Sequence, residues 1–422
     1  MNRSLALPFD RRRFIKGGAG VAVAGAAAVA LRPELAWAAA TQPAAGKPTT
    51  TGKLVMIFLR GGMDGLSAFF PAGDAAYYTA RPTIAVPANR ALALDTTFGM
   101  HPVLAPLHEL YQQKDLSIVH AVGNATESRS HFEAQAIVEL GGQQGAGDGW
   151  ITRHLATSTA AGAGPVRAVA LSAISPNSLR GCRECVAVQD VDAFELGGRS
   201  GLLASHAATL GVLYSGSSLV DSQGRVGLDA LTAIKKLATG AAASAPASKD
   251  ADAGTYSPLT AALDDAKRLL TGGIGVEVVT VDAGNWDTHR AMGTYDSGLM
   301  RDLLQDLGKS IAAFWNGLRT AGVKDVNVLV MSEFGRRIAQ NGSVGLDHGS
   351  GNMMMVLGSG IAGGGKVLGR WPGLAPSADA RGDLPGTTDY RDVIAEVLSK
   401  RLGNTNMATV FPGRLAAVVG VS

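Results

Sequence analysis

Short apolar runs alternate along this chain with longer segments in which apolar residues recur every three or four positions. Uninterrupted apolar runs of this kind are typical of strands buried on both faces of a parallel sheet. They occupy residues 53–62, 116–123, 166–172, 276–284, 327–336 and 353–358. Strands that alternate with helices predict an α/β domain with a mostly parallel central sheet covered by helices on both sides.

The periodic segments predict amphipathic helices. The first of them, residues 101–114, has Pro102 at a plausible first helical position, where a missing N–H costs nothing. The others span residues 130–140, 257–272, 298–322 and 388–403. Residues 237–257 are rich in Ala, Ser and other small or polar residues, and they predict a low-complexity insertion.

The N-terminal 38 residues have the layout of a secretory signal. A basic start precedes an apolar stretch at 17–31, and a small-residue cleavage site follows at 36–38. Arg11-Arg12, followed by Phe14-Ile15-Lys16, resembles a twin-arginine export signal. The interpretation is a signal peptide (1–38), a linker (39–52) and a single domain (53–422), with a transmembrane helix as the alternative for the apolar stretch.

This interpretation predicts a periplasmic or secreted protein that the twin-arginine machinery exports in its folded state, without a stable membrane anchor. It also accounts for the net charge of +3, because six of the Lys and Arg residues lie within residues 1–38 against two acids. The remaining chain is close to neutral, and it has no basic patch with interleaved aromatic residues. Nucleic acid is therefore not an expected partner.

The two cysteines, Cys182 and Cys185, stand three positions apart in the motif "RGCREC". In an oxidising compartment they are expected to form a local structural disulfide, or else to remain as inert thiols. The flanking Arg180 and Arg183 leave a redox role open, because nearby positive charge lowers the pKa of a thiol. A single CxxC pair is a weak indication of a metal site.

Acids and histidines cluster where the apolar runs end or begin. Ligands of open parallel sheets bind at the carboxyl ends of the strands, so these side chains are expected to share one edge. Asp, Glu and His are the ligands that Zn²⁺ and Mn²⁺ prefer in hydrolytic sites. The candidate ligands are Asp64, Asp287, His289, Glu333, Asp347 and His348. They predict one or two divalent ions, Zn²⁺ or Mn²⁺ with Ca²⁺ or Mg²⁺ as alternatives. An acid of this kind taken singly is more often a helix cap or a turn former.

The motif "SRSHFEAQ" supplies a candidate nucleophile. Ser128 or Ser130 would stand at the start of the helix predicted at 130–140, where free N–H groups favour an oxyanion or phosphate. The structural alternative is a capping box between Ser130 and Glu133. His131 is a candidate ligand, base or packing residue, and His101 could face the same edge.

Several motifs in one order resemble the DUF1501 family of secreted, often twin-arginine-exported bacterial proteins. They are "FLRGGMDGLS", "GMHPVLAPL", "SRSHFEAQ", "GNWDTHR", "SEFGRR", "GLDHGSGNMMMVLG" and "TTDYRDV". That family is grouped with the alkaline phosphatase superfamily, which includes sulfatases. The resemblance implies a three-layer α/β/α sandwich with a two-metal site. It also implies that Asp64, Asp287, His289, Glu333 and His348 are ligands and that Ser130, rather than Ser128, is the nucleophile.

Two departures from the superfamily pattern change this expectation. The superfamily commonly has Asp followed by His where this chain has Glu333 and then Phe334, so one nitrogen ligand is missing. The spacing between Asp287 and His289 is also shorter than usual. Either His131, His101 or Asp347 fills the gap, or a single ion binds.

The sequence therefore predicts an exported, metal-dependent hydrolase-like protein that acts on phosphate or sulfate esters, either small or polymer-borne. Ser130 and His131 are its catalytic candidates. The first alternative is a non-catalytic binding protein that retains the fold with a degenerate metal site. The second is a metal-free serine hydrolase, which the lack of a GxSxG motif disfavours.

Overall fold

The computed structural model describes residues 47–124, 128–142, 147–160, 162, 164–196, 202–238, 258–374 and 381–422. The predicted signal peptide (1–38), the first part of the predicted linker (39–46) and nearly all of the predicted insertion (239–257) lie outside the described residues. The division of the chain into these segments stays a prediction.

The described residues form a central sheet of nine strands and two small sheets. The strands of the central sheet are β2 (Lys53–Leu59), β6 (Leu116–Gly123), β8 (Ala168–Leu171), β9 (Cys185–Ala187), β10 (Val278–Ala283), β11 (Val326–Met331), β12 (Asn352–Gly358), β13 (Val367–Leu368) and β14 (Thr388–Asp389). Their order is β13-β6-β12-β11-β2-β10-β8-β9, and β14 also pairs with β6. One small sheet pairs β1 (Thr49–Thr50) with β7 (Thr159–Ala160). The other has β5 (Phe98–Met100) between β3 (Phe69–Pro71) and β4 (Leu92–Ala93).

Eleven α-helices connect these strands within the described part of the chain. They are α1 (Gly65–Ala68), α2 (Ala75–Ala80), α3 (Ala105–Gln112), α4 (His131–Glu139), α5 (Trp150–Ala156), α6 (Leu203–Leu213), α7 (Leu219–Ala238), α8 (Leu259–Thr271), α9 (Leu299–Thr320), α10 (Tyr390–Lys400) and α11 (Met407–Val410). Short 3-10 turns lie at Ala88–Arg90, Pro102–Leu104 and Asn177–Leu179. The fold is thus mixed α/β with a mostly parallel sheet, as predicted.

The central sheet is buried on both faces, which explains its uninterrupted apolar strands. Along β2, Val55, Ile57 and Leu59 belong to the core formed with α3, α8 and α9. The alternate residues Leu54, Met56 and Phe58 belong to a second core formed with α5 and α10. Side chains of a strand point alternately to opposite faces, so a strand between two helical layers must be apolar at every position.

Strand β12 runs antiparallel to both of its neighbours, β11 and β6, whereas the other strands of the central sheet run parallel to one another. Its first residues therefore lie beside the carboxyl ends of β6 and β11. Residues that precede β12 consequently reach the same edge as residues that follow β2, β10 and β11. The apolar run alone predicts this strand but not its direction.

Cys182 and Cys185 form a disulfide, in agreement with the sequence prediction. Both residues are buried in the second core. Among the helices that the structure describes, none has the length and apolarity to cross a bilayer.

Candidate metal centre

Three histidines and one aspartate meet at the carboxyl edge of the central sheet. His131 is the first residue of α4, Asp287 and His289 lie in the loop after β10, and His348 lies in the loop before β12. One ligand atom from each residue lies within 4.8 Å of the corresponding atoms of the others. The strand-end pattern thus predicted Asp287, His289 and His348 in one place, and His131 is the nitrogen donor that completes the group.

The donor atoms are close enough to share one ion. His289 Nε2 lies 2.8 Å from His348 Nε2. Asp287 Oδ1 lies 3.1 Å from His289 Nε2 and 3.4 Å from both His348 Nε2 and His131 Nε2. The side chains of His131 and His348 are about one-fifth exposed, and those of Asp287 and His289 are nearly half exposed, so the site opens to solvent on the side of the latter pair.

Each imidazole has an oxygen beside its other ring nitrogen. His131 Nδ1 lies 2.7 Å from Glu333 Oε1, and His348 Nδ1 lies 2.7 Å from the Arg129 carbonyl oxygen. His289 Nδ1 lies 3.6 Å from Asp347 Oδ1. Carbonyl and carboxylate oxygens accept hydrogen bonds, so Nδ1 of His131 and Nδ1 of His348 donate, and Nε2 of each of these two rings is directed into the site.

This arrangement of donors fits a divalent cation. Three Nε2 atoms and one carboxylate oxygen converge here, and lone pairs that face one another repel unless a positive charge lies between them. His131 Nε2 is buried and has no hydrogen-bond partner among the described residues. Imidazole nitrogens with one carboxylate form a set that suits Zn²⁺ in particular. The structure thus contains a His/Asp group that could hold a metal ion.

Glu333 orients His131 from behind. Burial alone would raise the pKa of Glu333, but hydrogen bonds from His131, Gln135 and Ser332 lower it to about 2. Its Oε1 also accepts the backbone N–H of Gly61 at 3.0 Å. In return, the hydrogen bond to Glu333 raises the pKa of His131.

Arg336 is a buried cation directly beside the ligands, and no sequence pattern marks it as part of the site. Its guanidinium donates to Asp287 Oδ1 at 2.6 Å and lies 3.4 Å from His289 Nε2. Its remaining N–H groups donate to carbonyl oxygens of Gly61, Gly62 and Leu346. Burial raises the pKa of Asp287, but Arg336 outweighs this and lowers it overall. In the sequence, Arg336 and Arg337 form the "RR" of "SEFGRR", a pair that is typical of surface charge. In the structure Arg336 is buried and Arg337 is exposed.

Glycines in the loop before β12 allow the backbone to approach the ligand loop closely. A Cβ atom at Gly345 would lie 2.2 Å from the backbone carbon and oxygen of His289. The same loop is tied to its neighbour by Asn341, which donates to the His289 carbonyl oxygen and to Asp347 Oδ1. This explains why Asp347 and His348 stand in a glycine-rich segment.

Three of the predicted ligands lie outside the four-residue group. Glu333 Oε1 lies beside Nδ1 of His131, and Asp347 Oδ1 lies beside Nδ1 of His289, so neither acid is on the Nε2 side of the ring. Asp64 is buried in an ion pair with Arg81, whose NH1 and NH2 donate to its two oxygens at 2.5 and 3.0 Å. Ser67 donates a third hydrogen bond to it at 2.6 Å. Arginine, rather than a metal, is the cation that Asp64 contacts.

Ser130 stands at the N-terminus of α4, directly before His131, and its side chain is exposed. Within the described residues it makes no capping hydrogen bond, and Glu133 instead accepts one from Ser128 at 2.8 Å. The capping box between Ser130 and Glu133 is therefore wrong. His101 is buried, accepts the Val103 N–H, and has a pKa lowered to about 4 by burial. It does not belong to the four-residue group.

The molecule is therefore an α/β protein with a candidate His/Asp metal centre at the carboxyl edge of its sheet. A family model described as "Protein of unknown function (DUF1501)" matches residues 232–415. This match supports the resemblance to the DUF1501 family over that part of the chain. The matched region includes Asp287, His289 and His348, whereas His131 precedes it.

Other comparisons add no function. No curated protein matches the chain. A solved structure titled "Crystal structure of Ps i-CgsB" is similar at 11% sequence identity with a TM-score of 0.31, covering 85% of this chain and 76% of that one. A similarity with so low a TM-score does not indicate a shared fold or function.

Proposed function

We propose that the protein is an exported, metal-dependent hydrolase-like protein that acts on phosphate or sulfate esters. The observation that carries this proposal is the convergence of three imidazole Nε2 atoms and one carboxylate oxygen at a partly open edge of the sheet. Transfer of an anionic group uses a metal ion, positive charge and a nucleophile. The site offers metal ligands, a buried arginine and an exposed serine at a helix start.

The geometry favours one ion rather than two. Arg336 already places a permanent positive charge 2.6 Å from Asp287 Oδ1 and 3.4 Å from His289 Nε2. This guanidinium occupies a place beside the ligands where a second cation would otherwise compensate Asp287. Asp64, which a second ion would need, contacts Arg81 instead. We propose Zn²⁺, with Mn²⁺ as the alternative, bound by His131, Asp287, His289 and His348.

A bound divalent ion would supply Lewis-acid stabilisation of the negative charge on the transferred group. Ser130 is the proposed nucleophile: its oxygen bonds to phosphorus or sulfur, the ester oxygen leaves as the alcohol, and the serine proton leaves with it. Water then hydrolyses the serine ester and restores the hydroxyl. The free N–H groups at the start of α4 favour the anionic group beside Ser130.

The proposal also covers the detailed fold class, the export route and the compartment of the protein. We propose a three-layer α/β/α sandwich of the alkaline-phosphatase type, supported by the two helical cores on opposite faces of the sheet. Export by the twin-arginine route is supported by the Arg11-Arg12 motif and the apolar stretch that follows it. The disulfide between Cys182 and Cys185 agrees with an oxidising compartment.

One observation favours a second function, a non-catalytic binding protein. Four protein ligands complete a tetrahedral zinc site, and closed sites of this kind are structural, whereas catalytic sites keep one position open. Against this, Asp287 also contacts Arg336, and nearly half of its side chain is exposed. The two functions differ in whether an ester turns over.

Metal content tests the site. We expect about one ion per purified chain in the wild type, and near-zero metal in a His289→Ala/His348→Ala double variant. His206→Ala is the matched control, because His206 is an exposed histidine on α6, outside the group. Near-zero metal in all three proteins after reconstitution with Zn²⁺ and Mn²⁺ would refute the metal centre.

Activity separates the two functions. A hydrolase turns over at least one of a panel of aryl phosphates, phosphodiesters and aryl sulfates, and loses this activity on chelation. Ser130→Ala should abolish turnover while the metal content stays at the wild-type level. Full activity in Ser130→Ala excludes the serine as nucleophile, and no turnover by a metal-loaded wild type favours the binding protein.

A further inference from the structure

Helix α4 presents a polar stripe to the edge of the sheet. His131, Gln135 and Glu139 are spaced four residues apart, so they lie one above another on the same face of the helix. The first residue is a metal-ligand candidate and the last is a buried acid. Gln135 lies between them and has no part in the function proposed above.

The amide of Gln135 connects two charged groups. Its Oε1 accepts a hydrogen bond from Arg60 NH1 at 3.2 Å, and its Nε2 donates to Glu333 Oε1 at 2.9 Å. Glu333 Oε1 in turn accepts from His131 Nδ1 at 2.7 Å. A continuous chain of hydrogen bonds thus leads from Arg60 to the imidazole.

The chemistry of arginine sets the polarity of this chain. A guanidinium can only donate, so the oxygen of the Gln135 amide must face Arg60 and its NH2 must face Glu333. A flipped amide would bring two donors together at Arg60 and two acceptors together at Glu333. Glu333 is thereby held as an acceptor, and His131 Nδ1 must be the donor.

Arg60 is itself held in place by acids on two elements. Its Nε donates to Asp282 Oδ1 of β10 at 2.9 Å, and its NH2 donates to Glu139 of α4. The guanidinium also lies over the Phe58 ring, 4.3 Å from the centroid. All three charged side chains are about nine-tenths buried, so the donor that faces Gln135 has a fixed position.

We propose that Gln135 is a positioning residue which, together with Arg60, holds Glu333 as an acceptor and thereby keeps His131 with Nε2 free to bind the metal. This inference rests on the proposed metal centre. Gln135 affects zinc binding only through Glu333 and His131, because it does not belong to the four-residue group.

Two substitutions test it. Gln135→Met keeps the length of the side chain and removes both hydrogen bonds. Gln135→Glu keeps the acceptor for Arg60 but places a second carboxylate against Glu333. We expect both variants to bind Zn²⁺ about ten- to a hundredfold more weakly in a competition titration against a chromophoric chelator. Gln112→Glu is the matched control, because Gln112 is exposed on α3, and it should bind like the wild type.

The tautomer of His131 gives a readout that does not need metal. Imidazole ¹⁵N chemical shifts of the metal-free protein, recorded above the titration of the ring, should place the proton on Nδ1 in the wild type and should show a mixture of the two neutral tautomers in Gln135→Met. An unchanged tautomer and unchanged affinity in a folded Gln135→Met variant would refute the inference. A wild type without metal affinity refutes the metal centre itself, whereas the ¹⁵N shifts still decide the role of Gln135.

Discussion

Asp64→Asn distinguishes a carboxylate that stabilises the fold from one that binds metal. The side chains of Asp64 and Arg81 are 1% and 0% exposed, and two hydrogen bonds join them. Burial acts to raise the pKa of Asp64, but the charge and hydrogen bonds of Arg81 lower it overall, so the acid is ionised. Arg81 also donates to the carbonyl oxygens of Arg337 and Ile338, and so connects the start of the domain to the loop after β11.

The expected cost follows from the burial of this pair. Asparagine keeps the shape of the side chain but removes the charge that compensates Arg81. An uncompensated buried charge destabilises a protein by about 3–5 kcal/mol, whereas a surface pair contributes about 0–1 kcal/mol. For a domain of this size, that corresponds to a melting temperature lower by roughly 5 °C. The zinc content of the folded variant should stay at the wild-type level.

Thermal denaturation and metal analysis of the same preparations provide the assay. Asp302→Asn is the control, because Asp302 pairs with its neighbour Arg301 and its side chain is 66% exposed. Its stability should change by less than about 0.5 kcal/mol. An Asp64→Asn/Arg81→Met double variant should recover part of the loss, since both charges are gone. A variant that loses its metal but melts within about 1 °C of the wild type would show that Asp64 is a ligand and would refute this reasoning.

Three further predictions concern the metal centre. The folded-state pKa of Glu333 is lowered from 4.5 to about 2, so its contribution of about 3 kcal/mol is present above pH 4.5 and is lost as the pH falls towards 2. Acid denaturation of metal-free Glu333→Gln should show a shallower loss of stability over that range, and an unchanged slope would contradict the assignment. The hydrogen bond to Glu333 raises the pKa of His131, so protons should compete with Zn²⁺ for this ring as the pH falls through the raised pKa. Chelator competition from pH 5 to 8 should show weaker zinc binding at the acidic end. A flat profile would exclude His131 as a ligand. In Gly345→Ala, the new Cβ must displace the His289 backbone, so zinc affinity should fall about tenfold or more; Gly342→Ala, with no atom within 4 Å of its Cβ, should bind as the wild type does.

The sequence by itself determined the local elements and the loops that carry the chemistry. Apolar runs marked β2, β6, β8, β10, β11 and β12 because a strand between two helical layers is apolar at every position. The three-to-four spacing marked α3, α4, α8, α9 and α10 within a few residues of their ends. The strand-end rule selected Asp287, His289 and His348, since carboxyl ends of parallel strands share one edge.

Only the tertiary structure decided which of the candidate side chains contact one another. Asp64, Glu333 and Asp347 are acids at loop positions like that of Asp287, and nothing local to them shows that their partners are Arg81, His131 and His289. These partners lie 17, 202 and 58 residues away. The antiparallel direction of β12, which brings His348 to the site, depends in the same way on pairing with β11 and β6. Contacts of this kind depend on how the completed elements pack, and short-range periodicity does not encode them.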